Sequence, residues 1–411
     1  MAKIYPFRAV RPSKENLHNF SSKSYSTYSK TELKNELDKN PASFLSIINI
    51  KKDPVFNVEK SKRYELVRKK YEEYIASKIL IKDPSSAFYI YDIIRENGLQ
   101  FCGVIATASV EDYDTNVIKK HEATISKREN NFKNYLKTVR FNAAPVLLTY
   151  PDNSVLETSI RRGQLNSTTI NSWSTENETH KLWSVENLED ILSIQNEFQK
   201  IPSLYIADGH HRSASSALLA REKKSAPKTP IKESYNRFLT YLIPESQLKI
   251  HDYNRIIKDL NGLSTTTFLE KISRVFELEN KGKKPYKSSK KHDISMYVDG
   301  SFYSLSLRAS YKKNTVVINQ LDTYILQSLV LEPILGITNI RTNKRIEYIQ
   351  GSNSLEQIKA AVDSGAFAVG FGLFPIQTKE LMAIADSDAV MPPKSTFIYP
   401  KLRSGNTIYE L

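Results

Sequence analysis

The chain has 411 residues, of which 25% are charged and 40% hydrophobic, a composition typical of a folded protein with room for two or three hydrophobic cores. A single cysteine, Cys102, excludes an intramolecular disulfide and a cysteine-ligated metal cluster. The formal net charge is +14. Because the lysines are spread along the whole chain, this charge favours an enzyme of anionic substrates over a nucleic-acid-binding protein.

The expected location and partners follow from what the sequence lacks. The first residues, 1–6, have no apolar run of the kind found in a signal peptide, and no window approaches 18 uninterrupted apolar residues. One cysteine suits a reducing compartment. We therefore expect a cytoplasmic protein without a membrane partner. The densest lysine run, residues 281–291, is typical of a solvated loop, so DNA is a less favoured partner. The oligomeric state stays open.

The first hundred residues predict an N-terminal α/β section. A polar helix is expected around residues 30–38, a strand at 43–48 and a helix at 60–81. Two strands are expected on either side of Asn97-Gly98, because this dipeptide favours a tight hairpin turn.

The segment that follows combines an acid, a histidine and cations. His121 and Glu122 precede a helix predicted to run to about Lys137, with Lys127 near its start. Glu122 is a candidate general base, although an acid near a helix start is also favourable to the helix dipole alone. A strand at residues 145–150, a long polar loop to about residue 179 and a helix at 185–200 are expected next.

The most informative stretch is Asp208-Gly209-His210-His211-Arg212-Ser213. Residues 204–207 predict a buried strand, Gly209 a sharp turn, and Ser213 the cap of a helix whose small apolar residues face a core. Free N–H groups and the helix dipole favour an anion at such a turn, and Arg212 adds a planar donor for phosphate or carboxylate. The alternative is a solvated surface turn. Five chemically competent side chains in one turn favour a binding site.

The last part of the chain predicts a C-terminal α/β section. We expect a strand at residues 238–244, a hairpin around 298–301, a helix at 321–335 and a glycine-rich strand at 365–374. Arg255 is a candidate anion contact or a surface ion-pair residue. The proline-rich tail at 391–405 is expected to dock on the fold, where Lys394 or Ser395 could also contact an anion.

The box at 208–212, the segment His121-Glu122-x-Thr124 and the tail together resemble one family of uncharacterised ParB-like proteins, a domain of unknown function. That family is distantly similar to the ParB/sulfiredoxin superfamily. The resemblance covers nearly the whole chain. It implies a mixed α/β (α+β) fold with a ParB/sulfiredoxin-like nucleotide-binding and catalytic core at residues 101–240, between an N-terminal section, 1–100, and a C-terminal section, 241–411.

Within that superfamily, the order of His121-Glu122, Pro145-Val146-Leu147 and the box is similar to the order in free serine kinases, with a long insertion as a departure. The resemblance implies that Glu122 is the base near a serine hydroxyl and that Asp208 holds Mg²⁺ or positions the nucleophile. Gly209, His210, His211, Arg212 and Ser213 would bind the phosphates of ATP or ADP. We therefore expect a nucleotide-dependent kinase of a small hydroxylated metabolite, first of all free L-serine giving O-phosphoserine.

Other classes of protein are less favoured. No glycine-rich loop with Lys-Ser/Thr is present, which excludes a P-loop kinase. Sulfiredoxin chemistry needs a cysteine where this box has histidine. A non-catalytic nucleotide-binding regulator or a DNA-associated protein remains the alternative, although no helix-turn-helix is evident after residue 225. A metal hydrolase built on the histidines ranks lowest, because adjacent histidines point in different directions.

Overall fold

The computed structural model describes residues 1–49, 60–167, 169–175, 177–225, 232–312, 316–351 and 353–411. Their contacts divide them into two units. Unit 1 contains Met1–Lys120, Thr124–Leu248 and Pro400–Leu411, and unit 2 contains His121–Ala123 and Lys249–Tyr399. Both units combine helices with sheets, which confirms the mixed α/β class expected from the sequence. Among the described residues, no helix is both long and apolar enough to cross a bilayer.

Unit 1 begins with twelve strands and nine helices in chain order. The strands are β1 Ile4–Tyr5, β2 Val10–Pro12, β3 Leu80–Lys82, β4 Phe88–Arg95, β5 Gln100–Ser109, β6 Ile118–Lys119, β7 Phe141–Asn142, β8 Val146–Tyr150, β9 Thr169–Ser174, β10 Glu178–Val185, β11 Leu204–Asp208 and β12 Arg237–Pro244. The helices are α1 Leu17–Phe20, α2 Lys30–Lys39, α3 Phe44–Ile48, α4 Lys60–Ala76, α5 Val110–Asp114, α6 Ser126–Val139, α7 Ser154–Leu165, α8 Leu188–Lys200 and α9 His210–Lys224.

Unit 2 contributes the next strands and helices. They are β13 Lys249–His251, β14 Tyr253–Ile257, α10 Thr265–Ser273, β15 Phe276–Gly282, β16 Asp293–Val298, β17 Ser301–Leu307, α11 Asp322–Leu326, β18 Ile346–Gln350, α12 Ser354–Asp363, β19 Val369–Gly372, α13 Thr378–Asp386 and β20 Phe397–Tyr399. The last strand, β21 Tyr409–Glu410, returns to unit 1 and pairs with β7. A six-stranded antiparallel sheet in the order β15-β17-β16-β19-β14-β18 forms the centre of unit 2.

The main sheet of unit 1 has nine strands in the order β6-β11-β8-β12-β5-β4-β10-β9, with β1 beside β5. β6 runs parallel to β11, β8 runs antiparallel to β11, and β12 runs parallel to β8. The carboxyl ends of β6 and β11 therefore lie at the same edge as the amino ends of β8 and β12. We call this the box edge, because residues 208–212 leave the sheet there.

Several local predictions are confirmed. The helix around residues 30–38 exists as α2, which begins with a capping box formed by Ser29 and Glu32. The hairpin at Asn97-Gly98 connects β4 and β5, and the hairpin at 298–301 connects β16 and β17. In the second hairpin both central residues, Asp299 and Gly300, have positive φ, as a tight turn requires.

Two local predictions are wrong. Residues 44–48 form helix α3 rather than a strand, because a short apolar run has no periodicity that separates the two structures. The predicted polar loop before residue 179 instead contains α7 and the hairpin of β9 and β10. Leu156 and Ile160 are one helical turn apart and face the core, while polar residues cover the exposed face of α7.

Candidate functional site

The box is a strand, a one-residue turn and a helix, as the sequence predicted. Residues 204–207 of β11 are buried, and Asp208 ends the strand. Gly209 has φ +109° and ψ 26°, a conformation that a residue with a Cβ rarely adopts, and α9 begins directly after it. The prediction that Ser213 caps the helix is wrong: Gly209 is the N-cap, and the buried Ser213 hydroxyl donates to the His210 carbonyl at 3.0 Å.

Arg212 joins three elements at the box edge. Its guanidinium donates to Asp208 Oδ2 at 2.6 Å and also to the carbonyl oxygen of Pro145, the residue before β8. The Asp208 side chain is half exposed, with 50% of its surface accessible, whereas that of Arg212 is 24% accessible. Arg212 therefore lies across the start of α9 with one edge fixed by the fold, and Asp208 keeps an accessible carboxylate beside it.

His210 differs from the other box residues because it is almost fully buried. Burial lowers the pKa of His210 to about 3, and the positive charges of His211, Arg212 and Lys120 lower the pKa further. The imidazole of His210 is therefore neutral at pH 7. His211 is half-buried, and its carbonyl oxygen accepts from the Ser215 hydroxyl at 2.7 Å within α9.

Lys120 is a cation at the box edge that the sequence analysis missed. It follows β6, whose residues Ile118 and Lys119 pair in parallel with Leu204 and Tyr205 of β11. The Lys120 ammonium donates to the Tyr113 carbonyl at 3.2 Å and lies 4.3 Å from the centroid of the Tyr113 ring. Residues about 85 positions apart along the chain meet here only through strand pairing, so no local sequence pattern could have placed Lys120 at this edge.

The structure holds α9 firmly against unit 1. Ala214, Ala217 and Ala220 pack into the main core, which confirms the predicted apolar face for the first two. The Ser215 hydroxyl also donates to the carbonyl of Glu129 on α6 at 3.1 Å. The position of the first turn of α9 is therefore set by the core rather than by the exposed side chains.

The segment with the predicted base belongs to unit 2. His121 is buried, and its carbonyl oxygen accepts from the Met391 N–H at 2.9 Å. Glu122 is exposed, and Lys127, in the first turn of α6, is an exposed residue of unit 1. That Glu122 acts as a base, and that His121 and Lys127 assist, stays a prediction.

The remaining candidates, Arg255, Lys394 and Ser395, lie together in unit 2. Arg255 is 1% exposed and donates to the carbonyls of Tyr253 and Lys394. Burial lowers the pKa of Arg255 to about 10, so the side chain stays charged at neutral pH. The buried Ser395 hydroxyl donates to the Pro392 carbonyl at 2.7 Å. These contacts, with the pairing of β20 and β13, confirm that the tail docks on the fold.

A divalent metal would find one carboxylate in the box. Among the described residues, no group of three or more histidine, cysteine, aspartate or glutamate side chains is arranged to hold a metal ion. Asp208 alone, half exposed and with one oxygen bonded to Arg212, fits a Mg²⁺ ion that keeps several waters and takes its other ligands from phosphate oxygens.

Gly209→Ala is expected to disturb the box. A Cβ on Gly209 would lie 2.9 Å from Arg212 Nε, and the positive φ strains any other residue, so we expect a loss of about 1–2 kcal/mol of stability and a displaced guanidinium. Gly98→Ala is the matched control, because Gly98 has φ +80° with no atom within 4 Å of an added Cβ. Thermal unfolding and nucleotide titration of both variants measure the difference. Equal nucleotide affinity in the two variants would contradict a role for the turn.

The fold and the box define a mixed α+β protein with a strand–turn–helix element of the kind that binds anions. A family model described as "Protein of unknown function (DUF1015)" matches residues 4–324, and the chain belongs to that family. A search of curated proteins found no match.

Solved structures with a similar fold were also found, all at low identity. A free serine kinase in complex with AMP is 11% identical, with a TM-score of 0.35, and covers 75% of this chain and 91% of its own. A conserved hypothetical protein from Pyrococcus furiosus is 13% identical, with a TM-score of 0.36, and covers 75% and 94%. SbnI with a C-terminal truncation, from Staphylococcus aureus, is 12% identical, with a TM-score of 0.37, and covers 74% and 85%.

Proposed function

We propose that this protein transfers a phosphoryl group from ATP or ADP to the hydroxyl of a small metabolite, with free L-serine as the first substrate to test. The observation that carries the proposal is the box edge. There the first turn of α9, the guanidinium of Arg212 and the ammonium of Lys120 are gathered around the accessible carboxylate of Asp208.

The first turn of α9 supplies the phosphate contact in this proposal. The N–H groups at the start of a helix point along its axis, and the helix dipole favours an anion there. Gly209 keeps the backbone bare at this point, and the core keeps α9 in place. Arg212 adds a donor fork that is already held on one side by the Pro145 carbonyl, so less side-chain entropy is lost on binding.

Phosphoryl transfer depends on positioning and fixed charge more than on a covalent nucleophile. A Mg²⁺ ion held by Asp208 would neutralise phosphate charge when bound. The bond between the terminal phosphorus and its bridging oxygen breaks, the shortened nucleotide leaves, and the substrate hydroxyl oxygen bonds to the phosphorus. The hydroxyl proton passes to a base, the role that the resemblance to free serine kinases assigns to Glu122.

The direct test is to incubate the protein with Mg²⁺, L-serine and either ATP or ADP, and to follow O-phosphoserine by ³¹P NMR and mass spectrometry. L-Threonine, L-homoserine and glycerol extend the panel of hydroxyl acceptors. Formation of a phosphate monoester with any of them supports the proposal. Nucleotide binding without turnover would instead support the nucleotide-binding regulator, and steep salt-dependent DNA binding would support a DNA-associated protein.

Arg212→Ala is expected to weaken nucleotide binding by about 10–100-fold while the fold is kept, because a charge-assisted donor pair is lost from a partly exposed position. Arg221→Ala is the matched control. Arg221 lies on the same helix and pairs with Asp114. Isothermal titration calorimetry with ADP measures both variants. Unchanged affinity in Arg212→Ala, or an equal loss in both, would place the phosphate site elsewhere.

A further inference from the structure

Unit 1 contains an open cavity of about 300 Å³, and its lining is strongly cationic. Its wall is formed by four cationic side chains, one acidic side chain and Ser234 with Leu411. The cations come from separate segments, with Arg68 on α4, Lys82 on β3, Arg140 after α6 and Lys232 before β12. A surface loop rich in lysine would place such charges side by side in the sequence, whereas the fold assembles these four.

The one carboxylate of the lining, Glu410, is already fully engaged. Its Oε2 atom lies 2.7 Å from the Lys82 ammonium, and its Oε1 atom accepts from the Tyr71 hydroxyl at 3.0 Å. Arg68 pairs with Glu72 outside the lining and donates to the Val139 carbonyl. Two of the four cations therefore have partners.

Arg140 and Lys232 are the two cations left over. In the part of the chain that the structure describes, neither side chain forms an ion pair or hydrogen bond. The position of Arg140 is nevertheless fixed: its backbone is left-handed at φ +59°, its N–H donates to Leu136 and its carbonyl accepts from Leu411. Ser234 is held as well, because its carbonyl accepts from the Tyr409 hydroxyl at 3.1 Å.

We propose that this cavity is a binding site for a small, multiply charged anion, in particular a phosphorylated metabolite. Its volume is at the lower end of the range for small-molecule pockets, so it admits a compact ligand rather than a polymer. Arginine and lysine from different walls can approach a phosphate from several sides, and the Ser234 hydroxyl adds a neutral donor. The site is separate in residues from the box and does not depend on the proposed kinase activity.

The test is calorimetric titration of the full chain with inorganic phosphate, O-phospho-L-serine and citrate at several salt concentrations, with L-serine as the uncharged-side-chain comparison. We expect saturable binding of at least one phosphate compound in the wild-type protein and in Arg212→Ala. The double substitution Arg140→Ala/Lys232→Ala is expected to weaken this binding at least about tenfold. Lys283→Ala/Lys284→Ala, which removes the same charge from exposed residues of unit 2, is expected to leave it unchanged.

Three results would overturn the proposal. They are the absence of saturable phosphate binding up to about 10 mM, an equal loss in both double variants, and a loss in Arg212→Ala alone, which would assign the binding to the box. If the alanine pair fails to fold by circular dichroism, Arg140→Gln/Lys232→Gln replaces it, because glutamine keeps polar side chains of similar length. Citrate binding without phosphate binding would show a carboxylate site and would also overturn it.

Discussion

Replacing Glu122 by glutamine is expected to lower the rate of phosphoryl transfer by about 10²–10⁴-fold while nucleotide affinity changes less than about threefold. Glutamine keeps the shape and polarity of the side chain but cannot accept the hydroxyl proton. Because Glu122 is exposed, the substitution should not disturb packing. Single-turnover kinetics with saturating nucleotide separate the chemical step from binding. The wild-type rate should rise with pH as the base ionises, and the glutamine variant should lack that rise.

Glu111→Gln is the control for this experiment. Glu111 is also an exposed acid near a helix start, in an ion pair with Lys3. Exposed ion pairs contribute little to stability, so this variant should keep both activity and fold. If Glu122→Gln retains wild-type turnover on a substrate that the wild-type protein phosphorylates, another group takes the proton. The role carried over from the free serine kinases would then be wrong for this chain, even with the phosphate site intact.

The sequence predicted the box well because its structure is locally encoded. A buried strand, a glycine with positive φ and a helix with small apolar residues are all consequences of neighbouring residues. The start of the helix was misplaced by three residues, because Ser213 resembles a cap while Gly209 has no side chain with which to announce one. The local pattern therefore identified the element but not which groups of it face outward.

Non-local features could not be obtained in the same way. Lys120 reaches the box edge through the parallel pairing of β6 with β11, and the cationic cavity is assembled from five segments. The polar composition of residues 151–179 also concealed a core contribution. Trp173 and His180 stack there with ring centroids 5.0 Å apart, buried beneath a sequence rich in serine, threonine and asparagine. Such burial depends on which strands pair, and pairing order is not a property of a sequence window.

Unit 2 contains a buried acid whose environment opposes its charge. Asp322, at the start of α11, is 4% exposed, and its Oδ1 atom accepts from the His292 N–H at 2.9 Å. Within the described residues its Oδ2 atom has no hydrogen-bond partner. Burial raises the pKa of Asp322 to about 7, against the opposing effects of the His292 N–H and Lys291, and the nearby Glu380 and Asp293 raise it further.

Asp322→Asn is therefore expected to stabilise the protein above pH 7. In the unfolded chain the carboxyl ionises near its ordinary pKa of 3.8, whereas the folded protein keeps the proton to about pH 7. Folding thus takes up a proton between these values, and the free energy of unfolding falls as pH rises through that window. Asparagine stays neutral and keeps the acceptor for His292. The expected gain is roughly 2–4 kcal/mol at pH 8 and close to zero at pH 4.

Urea unfolding at half-unit pH steps measures this difference, and hydrogen exchange of the amides in β16 and α11 assigns the transition to unit 2. Asp299→Asn is the control, since Asp299 is an exposed turn residue of the same unit with positive φ, a conformation that asparagine also adopts. Stability curves of Asp322→Asn and the wild-type protein that run parallel from pH 4 to 8 would show that Asp322 ionises normally. An acid that ionised normally there would need a cation or water at Oδ2, because a buried carboxylate oxygen without a partner cannot hold its charge at so small a cost.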